Sequence, residues 1–228
     1  MCLDKDVEEI KETFRKNIGS YKYFLKRLIM EFNENPAFKP YIHSIRHRVK
    51  DEDHLIEKVK RKNQGVTSEE DLIVADNLCQ KITDLIGIRI LHLHLGQFQH
   101  IHLGIMKYIE DGEFYLFEQP KAYTWDIESK SFFENLGINT FVKESYYTSI
   151  HYVLKPSESS LVTCEIQVRT LLEEVWGEVD HALNYPNKHE NEHCQSQLKV
   201  LARIIGASAH LSDSIMRQYQ YMNDHYHS

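Results

Sequence analysis

Residues 147–170 read Tyr-Thr-Ser-Ile-His-Tyr-Val-Leu-Lys-Pro-Ser-Glu-Ser-Ser-Leu-Val-Thr-Cys-Glu-Ile-Gln-Val-Arg-Thr. Two alternating runs, 147–154 and 161–170, flank the polar turn Lys155-Pro156-Ser157-Glu158-Ser159-Ser160, the pattern of a strand pair. Period two puts Tyr147, Ser149, His151 and Val153 on one face of the first strand, and Thr148, Ile150, Tyr152 and Leu154 on the other. In the second strand Glu165, Gln167 and Arg169 share a face, with Cys164, Ile166 and Val168 opposite. With both polar faces on one side, a phenol, an imidazole, a carboxylate, an amide and a guanidinium converge. A ring and an amide suit a nucleobase, a carboxylate suits Mg²⁺ and Arg suits phosphate. A solvated sheet face with one cross-strand ion pair is the plainer alternative, and alternation alone does not choose between them.

On the N-terminal side, Val7, Ile10, Phe14, Ile18, Tyr21, Leu25, Leu28, Ile29 and Phe32 recur at helical spacing until Asn33, Asn35 and Pro36. From 41 to 50 the period becomes two: Tyr41, His43, Ile45, His47 and Val49 oppose Ile42, Ser44, Arg46, Arg48 and Lys50. A strand there sets three cations side by side. A helix is expected over 53–62, on Leu55, Ile56 and Val59. Thr67-Ser68-Glu69-Glu70 reads as a capping box opening a helix through Cys79. A buried strand over 82–95 precedes a helix (Phe98, Ile101, Ile105, Tyr108, Ile109) that Asp111-Gly112 ends. A strand over 114–117, an irregular stretch to Lys130, a short helix ending at Gly137 and a strand over 138–142 lead to the quoted pair. A helix over 171–183, stopped by Pro186, and a last one over 192–222, apolar at Leu198, Leu201, Ile204, Ile205 and Ile215, close the chain. The pattern is α+β, a mixed sheet of about five strands flanked by helices. It divides into an N-terminal helical segment (1–40), a core (41–186) and a C-terminal helix (187–228) that packs on the core or forms an oligomer interface.

The chain has 228 residues, 42% hydrophobic and 27% charged, which excludes disordered, collagen-like and coiled-coil classes. No apolar run approaches the ~20 residues of a membrane span. Met1-Cys2-Leu3-Asp4-Lys5-Asp6 lacks a secretory signal's order, so a cytoplasmic protein without a membrane partner is expected. A net charge of −7 argues against a generally basic polyanion binder. Cations nevertheless cluster at Arg46, Arg48, Lys50, Lys58, Lys60, Arg61 and Lys62. Cys2, Cys79, Cys164 and Cys194 show no C-x-x-C spacing. His92 and His94 alternate on a strand, and His189 and His193 stand four apart beside Cys194, but spacing forces no third and fourth ligand, so structural zinc is not expected. The closely spaced Asp pair after a Gly-Ser turn that marks polymerase-type nucleotidyltransferases is missing. Asp84 and Arg89 lie in an apolar stretch where burial is costly unless they are paired; pairing with each other is the simplest arrangement.

In order along the chain, Arg48-Val49-Lys50, Lys58-Val59-Lys60-Arg61-Lys62, Asp84-x-x-Gly87-x-Arg89, Tyr147-x-Ser149-Ile150-His151, Glu165-Ile166-Gln167-Val168-Arg169-Thr170, and Trp176 with Asp180-His181 and Tyr185 resemble the RelA/SpoT-type alarmone synthetase domain. The resemblance implies its nucleotidyltransferase-like fold and a GTP diphosphokinase activity: the β,γ-pyrophosphate of ATP passes to the 3′-hydroxyl of GDP or GTP, giving (p)ppGpp and AMP. It implies that Arg48 and Arg89 sandwich the adenine and that Lys50, Lys58 and Arg61 bind the ATP phosphates. Asp84 and Glu165 would organise Mg²⁺, Glu165 also serving as base. Lys143, Tyr147, His151 and Gln167, with Arg169 and Glu174, would hold the acceptor nucleotide.

Several positions depart from the family pattern. Ser145-Tyr146 replaces the usual Asn-Gly, Thr148 an Arg, His54 a Ser, and Glu174 stands where an Asn often lines the acceptor pocket; 119–137 also looks long. Glu174 either accepts from guanine's N1–H and N2 amine or points at solvent from its helix's first turn. Acceptor identity is therefore open. A toxin-like relative acting on the 3′ end of tRNA could use Arg15, Lys16, Lys22, Lys26 and Arg27 as an RNA contact, although a solvated helix face is the simpler reading. A degenerate nucleotide-binding protein is disfavoured because both acids remain. The hydrolase half of long family members does not fit ahead of Tyr41, so a small stand-alone synthetase is expected, homo-oligomeric through its terminal helices as small members commonly are.

Overall fold

The computed structural model describes residues 4–185 and 190–226; Cys2, Pro186 and His189 lie outside them. Alternating apolar residues build one face of a six-stranded mixed sheet. Its strands are β1 (Ser44–Val49), β2 (Ile86–His92), β3 (Tyr115–Thr124), β4 (Asn139–Val142), β5 (Ser149–Lys155) and β6 (Cys164–Thr170), in the order β1-β2-β6-β5-β3-β4. β2–β6 and β3–β4 are parallel; β1–β2, β6–β5 and β5–β3 are antiparallel. Ile86, Ile88 and Ile90, Ile150, Tyr152 and Leu154, and Cys164, Ile166 and Val168 are all essentially buried on that face. They share one core with α1 (Asp4–Glu34), α2 (Glu52–Asn63) and α4 (Leu95–Glu110) through Phe14, Tyr21, Leu28, Leu55, Val59, Phe98 and Ile101. α3 (Leu78–Lys81) and α5 (Ile127–Asn135) lie along the connections, and α6 (Leu171–Asn184) follows β6 directly.

A second, smaller cluster joins Trp176 of α6 to Leu198, Ala202 and Ile205 of α7 (Glu192–Tyr226), and the Trp176 indole donates to the Leu198 carbonyl at 3.0 Å. α7 is also fastened to the start of α4. Asp213 Oδ1 accepts from the Gly96 amide at 2.7 Å and lies 3.1 Å from His94 Nδ1, a carboxylate at a helix N-terminus.

Two expectations need correction. The capping box at 67–70 does not open a helix: Ser68 makes no side-chain cap, and two 3-10 turns (Glu69–Asp71, Ala75–Asn77) precede the single turn of α3. Side chains satisfy this backbone instead. Asn63 bonds both the amide and the carbonyl of Ile73, and Asn77 bonds the Val74 amide and the Leu72 carbonyl. The stretch expected to be irregular after Phe117 is the continuation of β3, which runs to Thr124 with register shifts between Leu116 and Lys121. Pro120, which has no amide hydrogen, sits inside the shifted segment, where a lost ladder bond is tolerated. The shifts break the period-two signal; the sheet itself, with six strands, agrees with the expected mixed sheet of about five.

α4 crosses the core where Gly104 meets the buried ring of Phe38, itself edge-on to Phe32 at 5.0 Å. A Cβ at 104 would lie 2.5 Å from Phe38 Cε1. Gly104→Ala should therefore destabilise the fold by about 1–3 kcal/mol of overpacking, more than the ~1 kcal/mol that alanine returns as helix propensity. Urea unfolding checks this; an unchanged or raised midpoint would contradict the packing described.

Candidate active site

Arg46, Arg48, Arg89, His151, Glu165 and Gln167 of β1, β2, β5 and β6 lie on the face opposite the main core. Strand register sets Arg46, Arg89, Gln167 and His151 in one row across the sheet, and Arg48, Gly87, Glu165 and Val153 in the next. Gly87 contributes no side chain to its row, and a cleft of about 230 Å³ opens there, walled by Arg48, Arg89, Asp84, Glu165 and Gln167.

Asp84 stands two residues before β2. Its Oδ2 receives Lys50 Nζ at 2.9 Å and Lys58 Nζ at 2.7 Å, so it pairs with these lysines rather than with Arg89. Lys50 follows β1 and is held by its amide on the Leu85 carbonyl (2.8 Å); Lys58 comes from α2, capped by Asp51. Burial works against ionisation of Asp84, but the two ammonium groups outweigh it and hold the carboxyl below its ordinary range. Burial also pulls Lys50 below its ordinary value, with Asp84 opposing. Asp84 Oδ1 is buried without a hydrogen-bond partner among the described residues, a costly state for an acceptor unless a ligand completes it.

Glu165 belongs to a closed ring of side chains. Its Oε1 lies 3.4 Å from His151 Nδ1, and its Oε2 accepts from Gln167 Nε2 at 2.8 Å. Gln167 Oε1 accepts from Arg169 Nη2 at 2.8 Å, the Arg169 guanidinium lies 5.6 Å from the Tyr147 ring centroid, and the Tyr147 hydroxyl meets His151 Nε2 at 2.9 Å. Burial works against the Glu165 charge, but the His151 contact outweighs it and keeps this carboxyl low; nearby Asp84 pushes it up. Burial raises the Tyr147 phenol.

The remaining expected site residues fall less evenly. Arg61 is exposed on α2 and outside the cleft wall. Lys143 is exposed, its ammonium 4.6 Å from the Tyr123 ring centroid, and Tyr123 in turn is edge-on to His151 at 4.9 Å. Glu174 does not point at solvent. It is 5% exposed, with Oε1 3.1 Å from Arg89 and 3.3 Å from Arg46, and Oε2 3.1 Å from Arg169 Nε. Glu178, which the sequence did not single out, bonds Arg89 Nη1 at 2.6 Å; its spacing of four from Glu174 is the signal that could have found it.

The other candidates have structural roles. Arg15 pairs with Glu8 and Glu52, Lys16 with Glu12 and Arg27 with Glu113, so these cations of the N-terminal stretch are engaged within the chain. His92 Nδ1 contacts the His94 carbonyl at 3.0 Å, and among the described residues no three of His, Cys, Asp and Glu gather as a metal cage. No helix of the described residues is long and apolar enough to cross a membrane.

The model of the region found in RelA/SpoT proteins matches residues 47–190. No curated protein sequence matches the chain. Among solved structures, a GTP pyrophosphokinase family protein from Streptococcus pneumoniae is 21% identical with a TM-score of 0.63, over 94% of this chain and 94% of that one. Small alarmone synthetase 1 from Bacillus subtilis bound to its product pppGpp is 22% identical with a TM-score of 0.58, over 95% of this chain and all of that one. The same synthetase bound to AMPCPP is 21% identical with a TM-score of 0.56, over 96% and 100%. At these identities the likeness is one of fold, and it agrees with the α+β architecture above. The matched stretch contains both acids, the paired arginines and the closed ring around Glu165, and the chain belongs to the RelA/SpoT family.

Proposed function

We propose that the protein is a small alarmone synthetase that transfers the β,γ-pyrophosphate of ATP to the 3′-hydroxyl of GDP or GTP, releasing AMP. One observation carries this reading: two ionised carboxylates, Asp84 and Glu165, share a cleft with Arg48 and Arg89, while the aromatic ring of Tyr147 lies one hydrogen bond beyond His151. Family membership and the fold shared with a synthetase that binds pppGpp support it.

Asp84 and Glu165 suit Mg²⁺, which takes one or two carboxylates and completes its shell with water and substrate phosphates, and the unsatisfied Asp84 Oδ1 offers such a ligand. Bound there, Mg²⁺ would neutralise charge on the transferring phosphoryl oxygens. The residues do the rest by positioning and charge, as phosphoryl transfer requires. Arg48 and Arg89 offer guanidinium planes to adenine. Lys50 and Lys58, gathered on Asp84, carry charge to the phosphates, with Arg61, three residues beyond Lys58, meeting them from the rim. Glu165, oriented by His151 and Gln167 and kept ionised, accepts the proton of the acceptor hydroxyl. Tyr147 stacks on the acceptor base, Arg169 supports its ring, and Lys143 donates to guanine O6. Both Glu174 oxygens are engaged by arginines, so Glu174 serves this pocket through them rather than by reading the base edge.

We also propose a homo-oligomer through α7, whose Val200, Ile204, Leu211, Ile215 and Tyr219 are exposed at helical spacing. Light scattering at micromolar concentration should give a multiple of the chain mass, and a monomer would refute it.

Asp84→Ala and Glu165→Ala should each lower transfer from labelled ATP by ~10³-fold or more while leaving circular dichroism unchanged; near-normal turnover in either would sink the assignment. Arg48→Ala and Arg89→Ala should each weaken ATP binding by about 0.5–2 kcal/mol in calorimetry, and unchanged affinity in both would place the donor elsewhere. Because Asp84 and Glu165 are held below their ordinary values, their contribution to stability is complete at neutral pH. It is lost as pH falls from their ordinary carboxylate values through the lower native ones. Asp84→Asn should therefore flatten the acid limb of a stability–pH profile, and an unaltered limb would contradict the assignment of Asp84 as ionised.

A further inference from the structure

We infer that one face of α6, formed by Glu174, Gly177 and Glu178, is a positioning device that fixes Arg89 on the donor side and Arg169 on the acceptor side, with Glu174 shared between them. The inference rests on the functional reading above for which side is donor and which acceptor. Positions i, i+3 and i+4 of a helix lie on one surface. Here that surface faces β2 and β6: Glu174 meets both arginines, Glu178 shares Arg89 Nη1 with it, and Gly177 leaves room for Arg169.

On the donor side, Arg89 Nη1 is held by Glu174 Oε1 at 3.1 Å and Glu178 Oε1 at 2.6 Å. Both contacts meet one edge nitrogen, which leaves the guanidinium planes available for stacking. An arginine held at its tip has lost rotamer freedom before a ligand arrives, so less ordering cost falls on binding. The pairing is mutual: burial of Glu178 is outweighed by its Arg89 bond, which holds its carboxyl below the ordinary range. Glu178 is half-exposed and sits at the end of the arrangement, reaching Arg46 as well at 3.4 Å.

On the acceptor side, Arg169 runs beneath α6. Its Nη2 donates to Gln167, its Nε lies 3.1 Å from Glu174 Oε2 without hydrogen-bond alignment, and its guanidinium covers the Tyr147 ring. That path exists because residue 177 has no Cβ; one built there would stand 2.5 Å from Arg169 Nη1. Arg169 is 3% exposed and confined by Gln167, Glu174 and Tyr147, so it cannot simply swing aside. A glycine in a helix interior costs about 1 kcal/mol relative to alanine. The backbone at 177 is not in the left-handed region, so room for the arginine is what the position requires.

The two sides can be separated by mutation of the full-length protein. Glu178→Gln should raise the ATP Kd about three- to tenfold in calorimetry while leaving the KM for GDP or GTP and the thermal midpoint unchanged. Gly177→Ala should do the reverse: acceptor KM rises roughly tenfold or more and ATP Kd stays put, while the thermal midpoint changes little or falls modestly, since the helix propensity of alanine offsets part of the crowding against Arg169. A purely structural role would not produce that split. Glu174→Gln should move both constants, and should it fail to fold, the first two variants decide alone; Glu178→Asp should restore part of the ATP affinity. The inference is overturned if Glu178→Gln and Gly177→Ala leave both constants unchanged, shift the same one, or if Glu178→Gln tightens ATP binding. A wild-type protein that binds no ATP and modifies no guanine nucleotide would instead remove the functional reading, and this inference with it.

Discussion

Two carboxylates in one buried cleft repel each other, and much of the surrounding structure serves to keep both ionised. Asp84 is neutralised by lysines from the end of β1 and from α2, and Glu165 is held by its contact with His151 from β5 and by a hydrogen bond from the Gln167 amide of its own strand. Neither solution works without the other elements in place. The cost of leaving such charges unpaired in a low-dielectric site is several kcal/mol each, so the cations are as necessary to the fold as to any chemistry.

The sheet makes this possible by putting its charged cleft residues and its apolar core residues on opposite faces. Ile88 and Ile166 point into the core shared with α1 and α4, while Gly87, Arg89, Glu165 and Gln167 in the same strands point into the cleft. The parallel pairing of β2 with β6 fixes Gly87 opposite Glu165 and Arg89 opposite Gln167. A one-residue slip would bury the charges and expose the isoleucines, so the hydrophobic core enforces the register of the polar site.

Where a feature depends on period two within an unbroken strand, it was legible in the sequence. The faces of 147–154 and 161–170, and the three cations after Tyr41, follow from alternation, and the structure keeps them on one side. The six ordered motifs also pointed to the family. What lay beyond reach depended on partners distant in the chain or on broken periodicity. Arg46 meets Glu174 across 128 positions, and no local pattern marks Glu174 as buried rather than solvent-facing. The register shifts around Pro120 hid the length of β3. At 67–79 a capping signal was present, but Asn63 and Asn77 supply the backbone hydrogen bonds that a helix would have supplied. Nothing local marks Gly177, because the arginine that needs the space arrives from the preceding strand.

Ser145-Tyr146 stands where the family resemblance leads one to expect Asn-Gly, and Tyr146 adopts a positive φ of 66°, packed on Trp125 at 4.9 Å and bonded by Arg203 at 3.0 Å. On the function proposed above, the acceptor pocket would keep its stacking tyrosine while its neighbours change, and base choice would fall to Lys143 and the ring around Glu165. Product analysis tests the central claim most directly: wild-type protein, γ-labelled ATP and Mg²⁺ incubated separately with GDP, GTP, ATP and bulk tRNA, then resolved by chromatography. The account predicts labelled pyrophosphate on the 3′ position of guanine nucleotides, with AMP formed in equal amount. Label on tRNA or on adenine nucleotides, with none on guanine nucleotides, would contradict it.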